Sequence, residues 1–273
     1  MNPSRTTHAA DVTVIIPIYK TQLQPYERAA LKQMTRVLAH RDLVVVCPEE
    51  LDLSPLSDLL GDKWREERFE ARFFDGRKGY NHLMLSEELY ERFARAHFLL
   101  VCQTDVWVFE DALDEWCRSE CDYIGAPWLP ASDEVGGWNL PRRLVYAARK
   151  VLGRIMPGFH PINLKWKVGN GGFSLRRVAA MLQVIRKHHD VVEQVVKCGD
   201  HVENYEDVFW SVGVNQRWPG TLRIPDAITA AGFAMDGHPD LAMQLTHGQL
   251  PMGAHAFQRR RNFKHWRKYI TIE

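Results

Sequence analysis

Two runs of apolar, mostly β-branched residues lie near the start of the chain, separated by an amphipathic segment. The first run, VTVIIPI, spans residues 12–18, and the second, LVVVC, spans residues 43–47. Between the runs, apolar residues recur at helical spacing after Pro25. Continuous apolar runs of this kind are typical of strands buried on both faces of a parallel sheet. The order of strand, helix and strand therefore predicts a βαβ unit.

The alternation of predicted strands and helices continues along the chain. The next clear core strand is HFLLVC, at residues 97–102. The other predicted elements are a strand at 70–74, a loop at 75–81, a helix over 82–94, a short strand at 122–128, a glycine turn entering a strand at 167–175, and helices over 176–197 and from residue 204. Because no repeat or linker divides them, we expect a single α/β domain over residues 12–273, after a tail at 1–11.

Composition and charge narrow the class of protein. The 273 residues are 45% hydrophobic and 25% charged, which allows a sizeable core without disulfides or metals to staple it. A formal net charge of +1 gives no reason to expect a nucleic-acid partner. The five cysteines are scattered and form no C-x-x-C pair, and no apolar run reaches the ~20 residues of a membrane span. These features favour a cytoplasmic protein.

A carboxylate and a histidine are candidate metal ligands. Asp105 follows the core strand at 97–102, and ligands bind at the carboxyl edge of open α/β sheets. One such carboxylate is enough to hold Mg²⁺ or Mn²⁺ when a substrate diphosphate supplies further oxygens. His255 lies in a small-residue loop, and mixed oxygen and imidazole ligation would favour Mn²⁺. Alternatively, Asp105 is a solvated turn residue and His255 is structural.

Three further motifs have both a chemical and a structural interpretation. The acids Glu206 and Asp207 either include a general base or favour a helix N-terminus. The glycines of GNGGF, at 169–173, either let a substrate approach the backbone or form a plain tight turn. Arg77 and Lys78 either meet a diphosphate or are simply solvated.

The motifs together are more specific than any one of them. In order, they are PIYK at 17, CPE at 47, FFDGRKGYN at 73, QTD at 103, DYIGAPW at 122, GNGGFSLR at 169, NYEDVFW at 204 and GAHAF at 253. Over residues 12–260, this order resembles an uncharacterised bacterial family of GT-A-like glycosyltransferase domains. It resembles the metal-dependent inverting GT-A glycosyltransferases more loosely.

The resemblance implies a fold and a reaction. The fold would be GT-A, a Rossmann-like mixed sheet, with a nucleotide-sugar-binding half at 12–128 and an acceptor and catalytic half at 129–273. The reaction would transfer a sugar, with inversion, from a UDP-sugar, or alternatively a GDP-sugar, to a glycan or lipid-linked hydroxyl. The family pattern makes Asp105 the last acid of a D-x-D motif, His255 its partner on Mn²⁺ or Mg²⁺, and Asp207, or failing it Glu206, the base.

The same pattern implies further contacts. The implied donor-binding residues are Pro17, Tyr19, Arg77, Lys78, Asn81, Gln103, Thr104 and Asp105. The implied wall beside the sugar and acceptor consists of Trp128, Gly171, Gly172 and Phe173. One residue departs from the family, because the first D-x-D position is Gln103, an amide that adds no charge. We therefore expect weak metal binding before the nucleotide arrives, and catalysis without metal stays open.

Two basic segments of the chain bear on what kind of acceptor it would use. The segments at 142–156 and 259–268 mix Lys and Arg with apolar residues, which predicts either peripheral contact with an anionic membrane at its inner face or a solvated basic surface.

Two other functions are alternatives to sugar transfer. A sugar nucleotidylyltransferase would carry a glycine-rich loop after the first strand, whereas PIYKTQ at 17–22 has no glycine. A catalytically silent sugar- or partner-binding module is the other alternative, and Gln103 favours it.

Overall fold

Two sheets organise residues 11–130, 163–198 and 201–272, the parts of the chain that this computed structural model describes. Their strands are β1 (Val12–Pro17), β2 (Asp42–Pro48), β3 (Arg65–Phe69), β4 (Phe98–Cys102), β5 (Val106–Val108), β6 (Tyr123–Gly125), β7 (Phe173–Arg177), β8 (Ala234–Met235) and β9 (Gly253–His255). The larger sheet has the order β3-β2-β1-β4-β7-β6, and the smaller has the order β5-β9-β8. The larger is mixed, with parallel pairs from β3 to β4 and antiparallel pairs at β7.

Helices connect and cover these strands. In the described ranges they are α1 (Pro25–Val37), α2 (Ser57–Leu60), α3 (Gly76–Leu85), α4 (Glu87–Arg92), α5 (Leu113–Arg118), α6 (Val178–Lys187), α7 (His189–Lys197), α8 (Glu206–Val208), α9 (Val214–Arg217), α10 (Ala227–Phe233), α11 (Pro239–Leu245) and α12 (Arg260–Trp266). A π-helical turn at Phe209–Gly213 joins α8 to α9.

The predicted βαβ unit is confirmed. Strands β1 and β2 pair in parallel across α1, and β1 also pairs in parallel with β4. Every residue of β1 and β4 is buried, which explains why both strands read as continuous apolar runs. Helix α1 buries its apolar face, including Leu31 and Met34, against this sheet. The mixed α/β architecture with helices on a mostly parallel sheet is therefore the predicted one, and the described residues form a single domain.

Four predicted elements were wrong. The helix expected over 82–94 is the end of α3 followed by α4, divided at Ser86, whose side chain caps α4. The strand expected at 70–74 lies earlier, at β3, because an edge strand exposes polar residues and hides the apolar pattern. Residues 71–74 instead form a 3₁₀ turn, and the expected loop at 75–81 is the first part of α3. The helix expected over 176–197 is two helices, α6 and α7, preceded by β7.

Gly79 explains why the loop prediction failed. A glycine normally disfavours a helix, but here it lets α3 pack directly on the preceding turn. A Cβ at residue 79 would lie 2.9 Å from the carbonyl carbon of Phe73, closer than real contacts. The glycine is therefore required by packing between backbones, and the helix forms in spite of it.

The smaller sheet brings the segment after Asp105 together with the strand that carries His255. Strand β5 follows β4 after three residues and pairs antiparallel with β9, with Val106 opposite His255. Strand β8 pairs in parallel with β9 on its other side. Residues near 105 and residues near 255 are thereby brought to the carboxyl edge of the larger sheet.

We predict that Gly79→Ala lowers the free energy of unfolding by about 1–3 kcal/mol, because the new methyl group overpacks α3 against the Phe73 backbone. Gly232→Ala is the matched control, since Gly232 also lies in a helix and its Cβ would meet only ordinary contacts with Trp116 at 3.7 Å. That control should be neutral or stabilising by up to ~1 kcal/mol. Urea denaturation followed by tryptophan fluorescence measures both, and equal effects would contradict the packing argument.

Candidate active site

Backbone hydrogen bonds bring three distant segments together at the carboxyl end of β4. The amide of Gln103 donates to the carbonyl of Gly172 over 2.8 Å, and the amide of Ala256 donates to the carbonyl of Asp105 over 3.0 Å. The segments 103–105, 171–172 and 255–256 are thus fixed to one another by main-chain bonds. The side chains of Gln103, Asp105 and His255 form one polar cluster there, and the backbone of the two glycines lies against it.

Asp105 and His255 lie side by side in this cluster. His255 Nε2 is 3.2 Å from Asp105 Oδ1, and Gln258 Nε2 donates to Asp105 Oδ2 over 3.4 Å. Burial opposes ionisation of Asp105, but His255, Gln258 and Arg259 together outweigh it and lower the pKa of the carboxyl. Burial likewise opposes protonation of His255, yet the charges of Asp105 and Asp236 raise its pKa to about 10.

The acids Glu206 and Asp207 begin α8, as predicted, and they have different surroundings. Glu206 is buried and its carboxylate is within 2.9–3.0 Å of Arg176 Nη2. Asp207 is only partly buried; its Oδ2 accepts from the Gly171 amide over 3.3 Å and its Oδ1 accepts from the Val208 amide over 2.8 Å. Glu206 is therefore engaged in an ion pair, and Asp207 is the acid that lies nearer the surface.

Both acids are shifted in the same direction. Burial raises the pKa of Glu206 to about 7, with Arg176 acting against the shift and Asp207 reinforcing it. Burial also raises the pKa of Asp207, although the amides of Gly171 and Val208 and the charge of Arg176 oppose the change. A carboxylate with a raised pKa is a better proton acceptor than an exposed one.

Gly171 and Gly172 let these two groups of side chains meet. A Cβ at Gly171 would overlap the Glu206 carboxylate, and one at Gly172 would overlap the His255 ring and lie 2.7 Å from Gln103 Oε1. No other residue fits either position without displacing a candidate site residue. The acid pair therefore lies against Gly171 and His255 lies against Gly172, so only the backbone of these two residues separates the two pairs.

The predicted donor residues on β1 and its loop lie at the same edge. Pro17 ends β1 and is buried, whereas the Tyr19 ring is 60% exposed. Thr104 donates to Glu27 Oε1 over 3.2 Å, and Glu27 also accepts from Lys20. Tyr19 is thus an exposed ring beside an anchored polar cluster.

The predicted donor residues of α3 take different positions. Arg77 and Lys78 are exposed in the first turn, and the Arg77 guanidinium donates to the Tyr205 hydroxyl over 2.6 Å and covers its ring. Asn81 is buried, and its Oδ1 accepts from the Glu206 amide over 3.3 Å. Asn81 therefore supports the acid pair from behind, and direct contact with a donor stays a prediction.

The predicted wall residues divide into two groups. Trp128 is half-buried, and its ring packs where a Cβ at Gly169 would lie. Phe173 is fully buried and stacked on Phe233, with ring centroids 5.1 Å apart. The Phe173 ring therefore packs in the core rather than at the surface, and of the predicted wall it is the backbone of Gly171 and Gly172 that lies against the cluster.

The two basic segments also have different outcomes. Residues 142–156 lie outside the described residues. In the segment 259–268, Trp266 is fully buried against Phe109, with ring centroids 5.5 Å apart, so this aromatic ring is not available to a membrane. Its Lys and Arg side chains are exposed. None of the helices in the described ranges is long and apolar enough to cross a bilayer.

The described part of the chain has no ready-made metal centre. It contains no group of three or more His, Cys, Asp and Glu side chains arranged to hold an ion. Any ion at Asp105 and His255 would therefore need ligands from a substrate or from water.

Sequence reasoning missed three residues of this cluster. Arg176 reads as a surface residue but is completely buried, Asp236 faces the second ring nitrogen of His255 at 3.5 Å, and Asn170 donates to Asp236 over 2.9 Å. Asn170 lies inside the GNGGF motif, which was the sequence signal that pointed to it, and its positive φ of 55° fits a turn residue. The position of Asp236 depends on strand pairing that the sequence does not reveal.

Comparison with solved structures identifies the fold as GT-A. The chain is similar to the galactosyltransferase LgtC in complex with donor and acceptor sugar analogs, with 13% identity, 89% of this chain and 86% of that chain covered, and a TM-score of 0.52. It is also similar to the apo form of mouse xyloside xylosyltransferase 1, with 12% identity, 90% and 97% coverage, and a TM-score of 0.51. A search of curated proteins found no match to the sequence. A family model described as "Protein of unknown function (DUF5672)" matches residues 63–255.

We predict that Arg176→Met lowers the free energy of unfolding by about 3–5 kcal/mol at a pH well above the Glu206 pKa of about 7, because it leaves the buried Glu206 carboxylate without its partner. Arg186→Met is the matched control, since Arg186 is 55% exposed and pairs with Glu87 and Glu91 at the surface; its loss should be about 0–1 kcal/mol. The Arg176 effect should be smallest below the Glu206 pKa of about 7, where Glu206 is protonated in both folded proteins. It should grow as the pH rises above that value, because Arg176 lowers the pKa of Glu206 and the variant loses this stabilisation of the carboxylate. Denaturant unfolding from pH ~5 to ~9 measures this, and a pH-independent difference would contradict it.

Proposed function

The chain belongs to the DUF5672 family of proteins of unknown function, and we propose that it is a glycosyltransferase. It would transfer a sugar from a nucleotide-sugar donor, UDP-linked or alternatively GDP-linked, to a hydroxyl of a glycan or lipid-linked acceptor. The GT-A fold supports this proposal. One observation carries it. Asp207 contacts Gly171 and the His255 ring lies against Gly172, so the acid and the Asp105–His255 pair lie next to each other at the carboxyl edge of the sheet, where ligands bind in this class of fold.

The Asp105–His255 pair fits one divalent cation. Their nearest atoms are 3.2 Å apart, close to the roughly 3 Å between neighbouring ligands of an octahedral ion with ligand distances of about 2.1 Å. Mn²⁺ accepts an oxygen and an imidazole nitrogen together, and Mg²⁺ is the alternative. Because Gln103 adds no charge, binding would strengthen when a diphosphate is present. When bound, the ion would neutralise charge on the leaving diphosphate.

The donor would lie against β1, β4 and the start of α3. In this proposal the Tyr19 ring, which is exposed, would stack on a nucleobase, and Arg77 and Lys78, in the first turn of α3, would meet a diphosphate. The remaining donor residues in this proposal are Pro17, Asn81, Gln103, Thr104 and Asp105. Trp128, Gly171 and Gly172 would border the sugar, with Phe173 supporting them from the core.

Asp207 would act as the general base. An acceptor hydroxyl would give its proton to the Asp207 carboxylate while its oxygen forms a bond to the anomeric carbon. The bond from that carbon to the diphosphate oxygen would break, and the nucleoside diphosphate would take the electron pair and leave from the opposite face. This single displacement inverts the anomeric centre. Glu206 is less suited to the role, because Arg176 already holds its carboxylate.

The experiment that tests the function is calorimetry with UDP, GDP and their sugars, with and without Mn²⁺. We expect one nucleotide series to bind, more tightly with Mn²⁺, and the Mn²⁺ effect to disappear in Asp105→Asn. Mass spectrometry of an acceptor panel incubated with the bound donor then measures transfer. Binding without transfer or donor hydrolysis would favour the silent module, and no nucleotide binding at all would contradict the proposal.

We predict that Asp207→Asn lowers kcat by ~10²- to 10⁴-fold while donor affinity is unchanged, because it removes the base and preserves the side chain's shape. In the wild type, activity should fall as the pH drops through the raised pKa of Asp207, above the ordinary value of ~3.9, and the variant should lack this limb. Asp190→Asn, a change at a fully exposed carboxylate on α7, is the control. Wild-type turnover in Asp207→Asn would show that the base is another group.

A further inference from the structure

Asp236 lies immediately after β8 and beside His255. Strands β8 and β9 are parallel, and Met235 lies opposite Ala254. The residues that follow these two in the sequence, Asp236 and His255, therefore lie side by side. Both side chains are nearly buried, with 15% and 10% of their surfaces exposed. The pairing of β8 with β9 therefore fixes the Asp236 carboxylate beside the His255 imidazole.

Asp236 contacts two residues of the cluster through different oxygens. Its Oδ2 accepts from Asn170 Nδ2 over 2.9 Å, and its Oδ1 is 3.5 Å from His255 Nδ1. Within the described residues, both that Oδ1 and that Nδ1 are buried and have no hydrogen-bond partner. Two buried polar atoms that face each other need only a small movement of the ring to form a hydrogen bond, which would remove the cost of leaving both unpaired.

Asn170 extends this contact to the glycine loop. Its Oδ1 accepts from the Gly172 amide over 3.1 Å, while its amide nitrogen donates to Asp236. Gly172 in turn passes close to the His255 ring. The loop, the asparagine, the aspartate and the histidine therefore form one continuous set of contacts that ends at His255 Nε2, the atom facing Asp105.

We propose that Asp236 is a positioning residue for the metal site, one that holds the His255 ring by Nδ1 and so directs Nε2 toward the ion. Metal-binding histidines commonly donate their second ring N–H to a carboxylate, which fixes the tautomer and strengthens the ligand. The inference rests on the proposed function, because it concerns the ion at Asp105 and His255.

Asp236 is not placed to be a ligand of that same ion. Its carboxylate faces Nδ1, whereas Asp105 faces Nε2, on the other side of the imidazole ring. An ion bound by Nε2 and Asp105 would have the ring between it and the near oxygen of Asp236. The effect of Asp236 must therefore pass through His255, and this gives the proposal a distinctive signature.

The test is Mn²⁺ binding to the full chain, measured by electron paramagnetic resonance titration with and without UDP and GDP. We expect Asp236→Asn, which preserves the shape of the side chain, to weaken Mn²⁺ binding by ~10- to 100-fold. Asn170→Ala should weaken it less. Asp240→Asn is the matched control, because Asp240 Oδ1 contacts His265 Nδ1 at 2.6 Å in an aspartate–histidine pair that no described contact joins to the cluster; its Mn²⁺ affinity should be unchanged.

Two readouts separate positioning from a general structural effect. Pulsed electron paramagnetic resonance should detect ¹⁴N coupling from a directly bound imidazole in the wild type and a weaker coupling in Asp236→Asn. On a His255→Ala background, Asp236→Asn should cause no further loss of Mn²⁺ affinity, because effects that act through one residue are not additive. Circular dichroism establishes that each variant is folded, and Asn170→Ala provides the second route if Asp236→Asn is not.

The outcomes are distinguishable. If the wild type binds no Mn²⁺ under any of these conditions, the metal in the proposed function is wrong, and Asp236 has no ion to act on. If the wild type binds Mn²⁺ through His255 but Asp236→Asn keeps wild-type affinity and ¹⁴N coupling, the positioning role is overturned. A further loss in the double variant of the same size as the single loss would also overturn it, because Asp236 would then act independently of His255.

Discussion

The close approach of backbone at Gly171 and Gly172 is the constraint on which the site depends. The loop leads directly into β7, whose antiparallel ladder with β4 fixes its position relative to Asp105. On one side the backbone touches the acid pair, and on the other it touches His255 and Gln103. Any side chain at these two residues would push the groups apart. The chemistry proposed here is therefore a consequence of two missing Cβ atoms as much as of the charged residues themselves.

Arg176 provides the foundation under that loop. Its guanidinium is fully buried and contacts Glu206, Tyr90 and Ser174. Burying a charge costs free energy unless it is paired and hydrogen-bonded, and here the whole fork is engaged. Glu206 is the partner of Arg176, whereas Asp207 accepts hydrogen bonds from the amides of Gly171 and Val208. The adjacent acids thus divide into one that is held in a buried ion pair and one that would accept the proton in the proposed reaction.

Sequence reasoning recovered the parts of the molecule that burial determines directly. Strands β1, β2 and β4 are buried along almost their whole length, so their apolar runs are unambiguous, and the position of Asp105 follows from its place after β4. Strand β3 was misplaced, because an edge strand is polar and resembles a helix surface or a loop. Asp236 was missed for a different reason: strands of two and three residues carry no periodic signal, and their pairing is decided by long-range contacts.

The small sheet gives the site a particular order of assembly. Strands β1 to β4 come from neighbouring parts of the chain, so they can pair while later residues are still being synthesised. The strand that carries His255 is added from far along the sequence, and contacts of such separation form late because of their entropy cost. A nascent chain therefore has the sheet edge and Asp105 well before it can form the Asp105–His255 pair. Until residues 253–255 have been synthesised, β5 therefore lacks the strand with which it pairs in the folded protein.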